Sequence, residues 1–136
     1  MAAMEKSSAP SEAIKDAKTV LIVEDNDLNM KLFHDLLEVH GYRVIEARNG
    51  AEAIARARSD APDLILMDIQ LPEISGLKAT QEIQADPLIK ETPIVAVTAY
   101  ATRGDEERIL AGGCRDYIAK PISVADFLEK VKRYLD

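Results

Sequence analysis

The stretch LILMDIQLPEISG, residues 64–76, decides the fold. Four apolar residues, Leu64 to Met67, run unbroken into a single aspartate, Asp68. Such a run reads as a strand buried on both faces, the mark of a parallel sheet covered by helices on each side. The carboxylate that ends it then falls on the C-terminal edge of the sheet, where open α/β folds put their chemistry. Three other runs end in the same way. VLIV (20–23) delivers Glu24 and Asp25, IVAV (94–97) delivers Thr98, and YIA (117–119) delivers Lys120. Three carboxylates, one hydroxyl and one ammonium on one edge suit a Mg²⁺ ion and a phosphoryl group.

Outward from this stretch, apolar runs at 20–23, 43–47, 64–67, 94–97 and 117–119 alternate with helical spacings. The alternation predicts an α/β domain, a doubly wound five-stranded parallel sheet with helices on both faces. In the first helix Leu28, Leu32, Phe33, Leu36 and Leu37 form the expected inward stripe, and Gly41 ends it. The second spans about 51–59, entered through Asn49-Gly50 and stopped by Pro62. The third, about 75–85, is expected to turn Leu77, Thr80 and Ile83 inward. The fourth, 102–111, has only Ile109 and Leu110 as large apolar residues, so it should be the least firmly packed and the readiest to move. In the last helix Val124, Phe127, Leu128, Val131 and Leu135 recur at helical spacing. Residues 1–18 carry one large aliphatic side chain, Ile14, and read as a flexible tail. Residues 19–136 read as one domain with none expected to follow.

The 136 residues include 17 Lys and Arg against 24 Asp and Glu, a formal net charge of -7. Binding to nucleic acid needs a basic patch, and none is visible, so protein partners are expected instead. A single cysteine, Cys114, excludes an intramolecular disulfide and a multi-thiolate zinc site. No apolar run nears the ~20 residues that span a bilayer, and no signal peptide is recognisable, so a cytoplasmic protein without membrane insertion is expected.

Clustered carboxylates raise one another's pKa unless a cation compensates, so Glu24, Asp25 and Asp68 together imply a metal. With oxygen donors only, a hard ion such as Mg²⁺ is favoured over zinc. Asp68 is then placed to act as ligand and nucleophile, Lys120 to neutralise phosphoryl oxygens, and Thr98 to donate a hydrogen bond to another of them. Ala99 leaves the approach open. Taken singly, each feature has a plainer reading: an acidic pair before a helix is usually an N-cap, and an Asp before a Pro-containing turn is ordinary turn chemistry. Their complementary charges at the ends of four strands favour the site. Tyr117 alone reads as a half-buried strand aromatic. His34 and His40 read as surface or capping residues, Cys114 as a small packing residue, and Glu106, Glu107 and Arg108 as a solvated helix face.

The motifs VLIVEDN (20–26), DLILMDIQLPEISG (63–76), VTA (97–99) and YIAKP (117–121), in this order, resemble the response-regulator receiver domain of two-component signalling, over about residues 19–135. The resemblance implies a flavodoxin-like receiver fold, phosphorylation at Asp68, the acidic pair Glu24 and Asp25, a switch hydroxyl at Thr98, a switch aromatic at Tyr117 and the lysine Lys120. Glu24 stands where Asp is also common in the family. Mg²⁺ is expected to bind through the Asp25 and Asp68 carboxylates and the backbone carbonyl of Gln70, with Glu24 acting through water, and the Lys120-Pro121 bond is expected to be cis. Activity is expected to stop at Mg²⁺-dependent phosphoryl acceptance and autodephosphorylation. VEDNDLNMKLFHDLLE (23–38), RGDEERI (103–109), GGC (112–114) and KPISV (120–124) more narrowly resemble single-domain receivers of alphaproteobacterial cell-cycle control. That implies sensor histidine kinases and phosphatases of DivJ-, PleC- and DivL-like type as partners, recruitment to a cell pole through them, and an output face at 102–111, 115–119 and 124–134.

Other classes fit less well. A Mg²⁺-dependent phosphatase working through an aspartyl phosphate wants an acid/base carboxylate two residues past the nucleophile, where this chain has Gln70. A flavodoxin-like nucleotide binder wants a Gly- or Ser/Thr-rich loop after the first strand, where Glu24-Asp25 would repel phosphate. A constitutive interaction scaffold has no use for the full acidic set with Thr98 and Lys120.

Overall fold

The computed structural model describes residues 17–99 and 102–136, so the expected tail lies almost wholly outside the described residues. Among the described residues five strands and five helices alternate: β1 (Thr19–Val23), α1 (Asp27–Val39), β2 (Arg43–Ala47), α2 (Gly50–Asp60), β3 (Leu64–Asp68), α3 (Gly76–Gln84), β4 (Ile94–Thr98), α4 (Arg103–Ala111), β5 (Asp116–Ala119) and α5 (Val124–Leu135). The strands form one parallel sheet in the order β2-β1-β3-β4-β5. This is the doubly wound arrangement expected. Every residue of β3 and β4 is buried, as unbroken apolar runs demand.

Period-2 alternation divides the core into two layers. Leu21, Val23, Ile65 and Met67 face Ala53 and Ala57 of α2, Ala79 and Ile83 of α3, and Ile109 of α4. Ile22, Leu66, Val95 and Val97 face Met30, Phe33 and Leu37 of α1 and Phe127 and Val131 of α5. Phe33 and Phe127 stack with ring centroids 5.3 Å apart, locking α1 to α5 beneath the site edge.

Each helix begins on a polar cap whose side chain accepts a hydrogen bond from the backbone three residues on: Asn26, Asn49, Ser75, Thr102 and Ser123. Because Asn26 caps α1, Glu24 and Asp25 are released from that duty, which removes the plainer reading of the acidic pair.

Several inward stripes differ from expectation. Leu28 is 80% exposed and Leu32 43%, while Met30, Phe33 and Leu37 are buried. Starting α1 at Asp27 sets the buried stripe at i, i+3 and i+7, and the two leucines fall on the adjoining face. In α3 the small Ala79 joins Thr80 and Ile83 in the core, and Leu77 is only partly covered. Val124 of α5 and Leu110 of α4 are also exposed, by a little under half, and α4 is anchored by Ile109 as its one buried residue. The weak seating expected of α4 is present.

Candidate functional site

The C-terminal edge of the sheet is assembled by register. Val23 pairs with Met67 and Asp68 with Val97, so Glu24, Asp68 and Thr98 emerge side by side. Glu24 is held there by its own backbone N, which donates to the Ala47 carbonyl at 3.0 Å. The Lys120 backbone N donates to the Thr98 carbonyl at 2.8 Å, bringing the lysine back from the end of β5. The Lys120-Pro121 bond is cis, as expected.

Glu24, Asp68 and Thr98 are buried, whereas Asp25 is exposed. Lys120 Nζ lies 2.9 Å from Glu24 Oε1 and 3.2 Å from Asp68 Oδ2. The remaining oxygens are committed locally: Asn26 N donates to Glu24 Oε2 at 3.2 Å, and Gln70 N donates to Asp68 Oδ1 at 2.9 Å. The Asp68 contact is an Asx turn, so the plain turn reading holds for one carboxylate oxygen and leaves the other facing the lysine.

Burial pushes the Glu24 carboxyl above its ordinary pKa, and the Asp68 charge pushes the same way against the pull of Lys120. Burial alone would depress the Lys120 ammonium, but Glu24 and Asp68 outweigh it and raise the net value, so the lysine stays charged.

Ligand oxygens of Glu24, Asp25 and Asp68 all lie within 4.8 Å of one another. Three carboxylates against one ammonium leave two formal negative charges uncompensated. Glu24 Oε1, fully buried, meets Lys120 as an ion pair but at an angle outside hydrogen-bond geometry. An all-oxygen cluster with a double negative excess and one oxygen short of a donor fits a hard divalent cation.

The loop after Asp68 owes its course to Gly76. A Cβ there would stand 2.1 Å from the Asp68 carbonyl oxygen and 2.7 Å from Ile69 Cα, while Gly76 N donates to the Ile69 carbonyl at 3.0 Å. Only glycine lets α3 start so close to the end of β3. A groove of about 320 Å³ lined by Asn29, Leu32, Phe33, Lys120, Pro121 and Ile122 opens beside the site, and exposed Leu32 forms part of its wall.

Tyr117 is half-buried on β5, but its hydroxyl is engaged away from the acidic cluster, donating to Glu106 Oε1 of α4. Glu106 is therefore not part of a freely solvated face, a correction that no spacing along α4 foretells. His34 also has a more definite role than expected. Nδ1 lies 2.7 Å from Glu46 of β2 and Nε2 lies 3.1 Å from Glu38, an i,i+4 neighbour in α1. The HDLLE spacing held the second partner in plain view; the first required the α1–β2 packing. Cys114 is buried with its thiol pushed up to about 11 by that burial, as a packing residue should be.

The model of the response regulator receiver domain matches residues 20–132. The polar-differentiation response regulator DivK of Brucella anthropi is 59% identical over 118 residues, covering 87% of this chain and 96% of the relative. The protein of the same name from Brucella ovis is 58% identical over the same shares. Among solved structures, the receiver domain of a sensor histidine kinase from Pseudomonas aeruginosa PAO1, with a magnesium ion coordinated in its active site cleft, superposes with a TM-score of 0.81. It is 38% identical and covers 88% of this chain and 98% of its own. Chemotaxis protein CheY4 of Vibrio cholerae gives a TM-score of 0.82 at 25% identity, covering 87% of this chain and 98% of its own. No helix among the described residues is long and apolar enough to cross a membrane. An acid-lined sheet edge, a lysine returned to it from β5, and a domain model matched from β1 into α5 point to one family: the chain belongs to the response regulator receiver domains.

Proposed function

We propose that the chain is a phosphorylation-dependent switch of a two-component phosphorelay, in which Asp68 takes a phosphoryl group from a phosphohistidine of a sensor kinase. The observation that carries this reading is the double ion pair of Lys120 with Glu24 and Asp68 at the end of β3. A lysine bound to both carboxylates can follow negative charge from Asp68 onto an incoming phosphoryl group without leaving the site.

The Asp25 and Asp68 carboxylates and the Gln70 carbonyl would hold Mg²⁺, with Glu24 joined to it through water. Bound there, the ion supplies charge neutralisation for the phosphoryl oxygens. An Asp68 carboxylate oxygen attacks phosphorus as the bond to the histidine nitrogen breaks, and the imidazole leaves with the electron pair. Water later attacks the same phosphorus, returning the Asp68 carboxylate and releasing inorganic phosphate. Lys120 neutralises one phosphoryl oxygen and Thr98 donates to another. Drawing Thr98 toward the new group, which carries about -1.5 to -2 charge, alters the space next to Tyr117. The face made by α4, β5 and α5 then changes, and partners read that face.

The relatives named for polar differentiation support a role in cell-cycle or cell-polarity control. DivJ-, PleC- and DivL-like kinases and phosphatases are the partners that the sequence resemblance implies, with recruitment to a pole through them. Exposed Leu28 and Leu32 and the groove at Ile122 offer a kinase helix an apolar seat beside Asp68. Residues 19–136 serve as the receiver unit, and 1–18 as a tail.

The test is transfer of label from a phosphorylated kinase of the DivJ type. Label should pass to the wild-type chain in Mg²⁺, and Asp68→Asn should receive none. Equal labelling of both proteins would refute the assignment, sustained turnover of phosphate esters would favour a phosphatase, and partner binding indifferent to phosphorylation would favour a constitutive scaffold.

A further inference from the structure

Tyr117 is gripped from two helices. Its hydroxyl donates to Glu106 on α4. Lys130 of α5 holds its ammonium 4.9 Å from the ring centroid and donates to the Tyr117 carbonyl at 2.5 Å. That ammonium is fixed in turn by Asp116 at 3.5 Å and Asp126 at 3.9 Å. Both Glu106 and Tyr117 are partly sheltered from solvent, where a phenol-to-carboxylate hydrogen bond is stronger than a neutral one. The phenol is correspondingly harder to ionise, first because of the bond to Glu106. Ile109 is the one buried side chain of α4, and the Glu106–Tyr117 bond adds a polar tie between that helix and β5.

We propose that Glu106 is a positioning residue: it latches Tyr117 outward against α4 in the unphosphorylated protein and so sets the free energy that phosphorylation of Asp68 must overcome to rearrange the α4–β5–α5 face. The inference rests on the reading of Tyr117 as the switch aromatic. A contact made only in the resting state opposes phosphorylation by the same factor by which phosphorylation opposes the contact. Lys130 steadies the ring and backbone of Tyr117 in the resting arrangement and keeps its hold on the backbone carbonyl if the ring turns. Glu106 loses its partner only in the switched one.

The test uses the full chain with ring-labelled tyrosine, the Tyr117 resonance being assigned by its loss in Tyr117→Phe. Spectra are taken with and without Mg²⁺ and beryllofluoride, a phosphoryl mimic. Glu106→Ala without the mimic should move the Tyr117 resonance along the line that wild type follows when the mimic binds. Its phosphorylation by a small phosphodonor should rise by about fivefold, the factor for a hydrogen bond worth ~1 kcal/mol. Glu106→Gln, which keeps an acceptor but not the charge, should fall between. A merely structural loss would slow phosphorylation rather than speed it. The latch is overturned if the wild-type resonance responds to the mimic while Glu106→Ala stays at the wild-type resting position and reacts no faster. If the wild-type resonance ignores the mimic, the reading of Tyr117 as the switch fails first, and the latch fails with it.

Discussion

Lys120 Nζ lies 3.2 Å from Asp68 Oδ2, although the two residues end strands that are separated in the sheet by β4. The lysine thus reaches over Thr98 to compensate two buried carboxylates with one charge. Removing one negative group should relax this imbalance. Asp68→Asn retains the Oδ1 acceptor for Gln70 N, so the variant is expected to be more stable than wild type in the absence of Mg²⁺, by roughly 1 kcal/mol or a few degrees in Tm. Lys120→Met should do the reverse, costing about 3 kcal/mol by stranding the pair. Thermal melts in chelator check both, and a lower Tm for Asp68→Asn would show that the carboxylate pair is not under repulsion.

Gly76 and Gly104 make opposite predictions. Gly76→Ala drives a Cβ into the Asp68 carbonyl, backbone that cannot yield cheaply, so a loss of about 3 kcal/mol or more and weaker phosphorylation are expected. Gly104, in the first turn of α4, has nothing within 4 Å of its would-be Cβ, so Gly104→Ala should be neutral or stabilising by up to about 1 kcal/mol. Urea titrations of the two variants separate these outcomes.

The five strands, their ends and the identity of the edge residues were legible because apolar run and polar terminus are local signals. The sequence alone groups Asp68, Glu24 and Lys120, since parallel strands put their C-terminal ends on one edge. The inward stripe of α1 was not legible in phase: Leu28 and Leu32 satisfy the helical period as well as Met30 and Leu37, and only the start at Asp27 decides between them. The Glu106 partner of Tyr117 and the Glu46 partner of His34 were also out of reach. Each joins a helix to a neighbouring strand, and sequence spacing carries no information about which side chains meet across that packing.

His34 provides a pH test. Burial alone would lower its pKa, but the Glu46 and Glu38 contacts prevail and raise it in the folded state. A raised folded pKa contributes stability that is fully present below the unfolded value of about 6.5 and is lost as pH rises through the folded value. The stability difference between wild type and His34→Gln should therefore shrink as pH is raised from about 5.5 to 9. Denaturant titrations across that range check it; a constant difference would mean the two carboxylates do not hold the imidazolium.

Cys114 should be chemically silent in the native protein. With the thiol buried and pushed up to about 11, almost no thiolate exists near neutrality. A thiol reagent at pH 8 is expected to react at least about 100-fold more slowly with the folded chain than with the chain in denaturant, and native reaction at the unfolded rate would contradict the burial.

Acceptance of a phosphoryl group at Asp68, supported by Lys120 and dependent on a divalent cation, is most directly read by intact mass after incubation with a small phosphodonor such as acetyl phosphate. Wild type in Mg²⁺ should gain the mass of one phosphoryl group and lose it again on standing, while wild type in chelator and Asp68→Asn in Mg²⁺ should remain unmodified. An equal gain in Asp68→Asn, or no gain in wild type with Mg²⁺ present, would contradict the account.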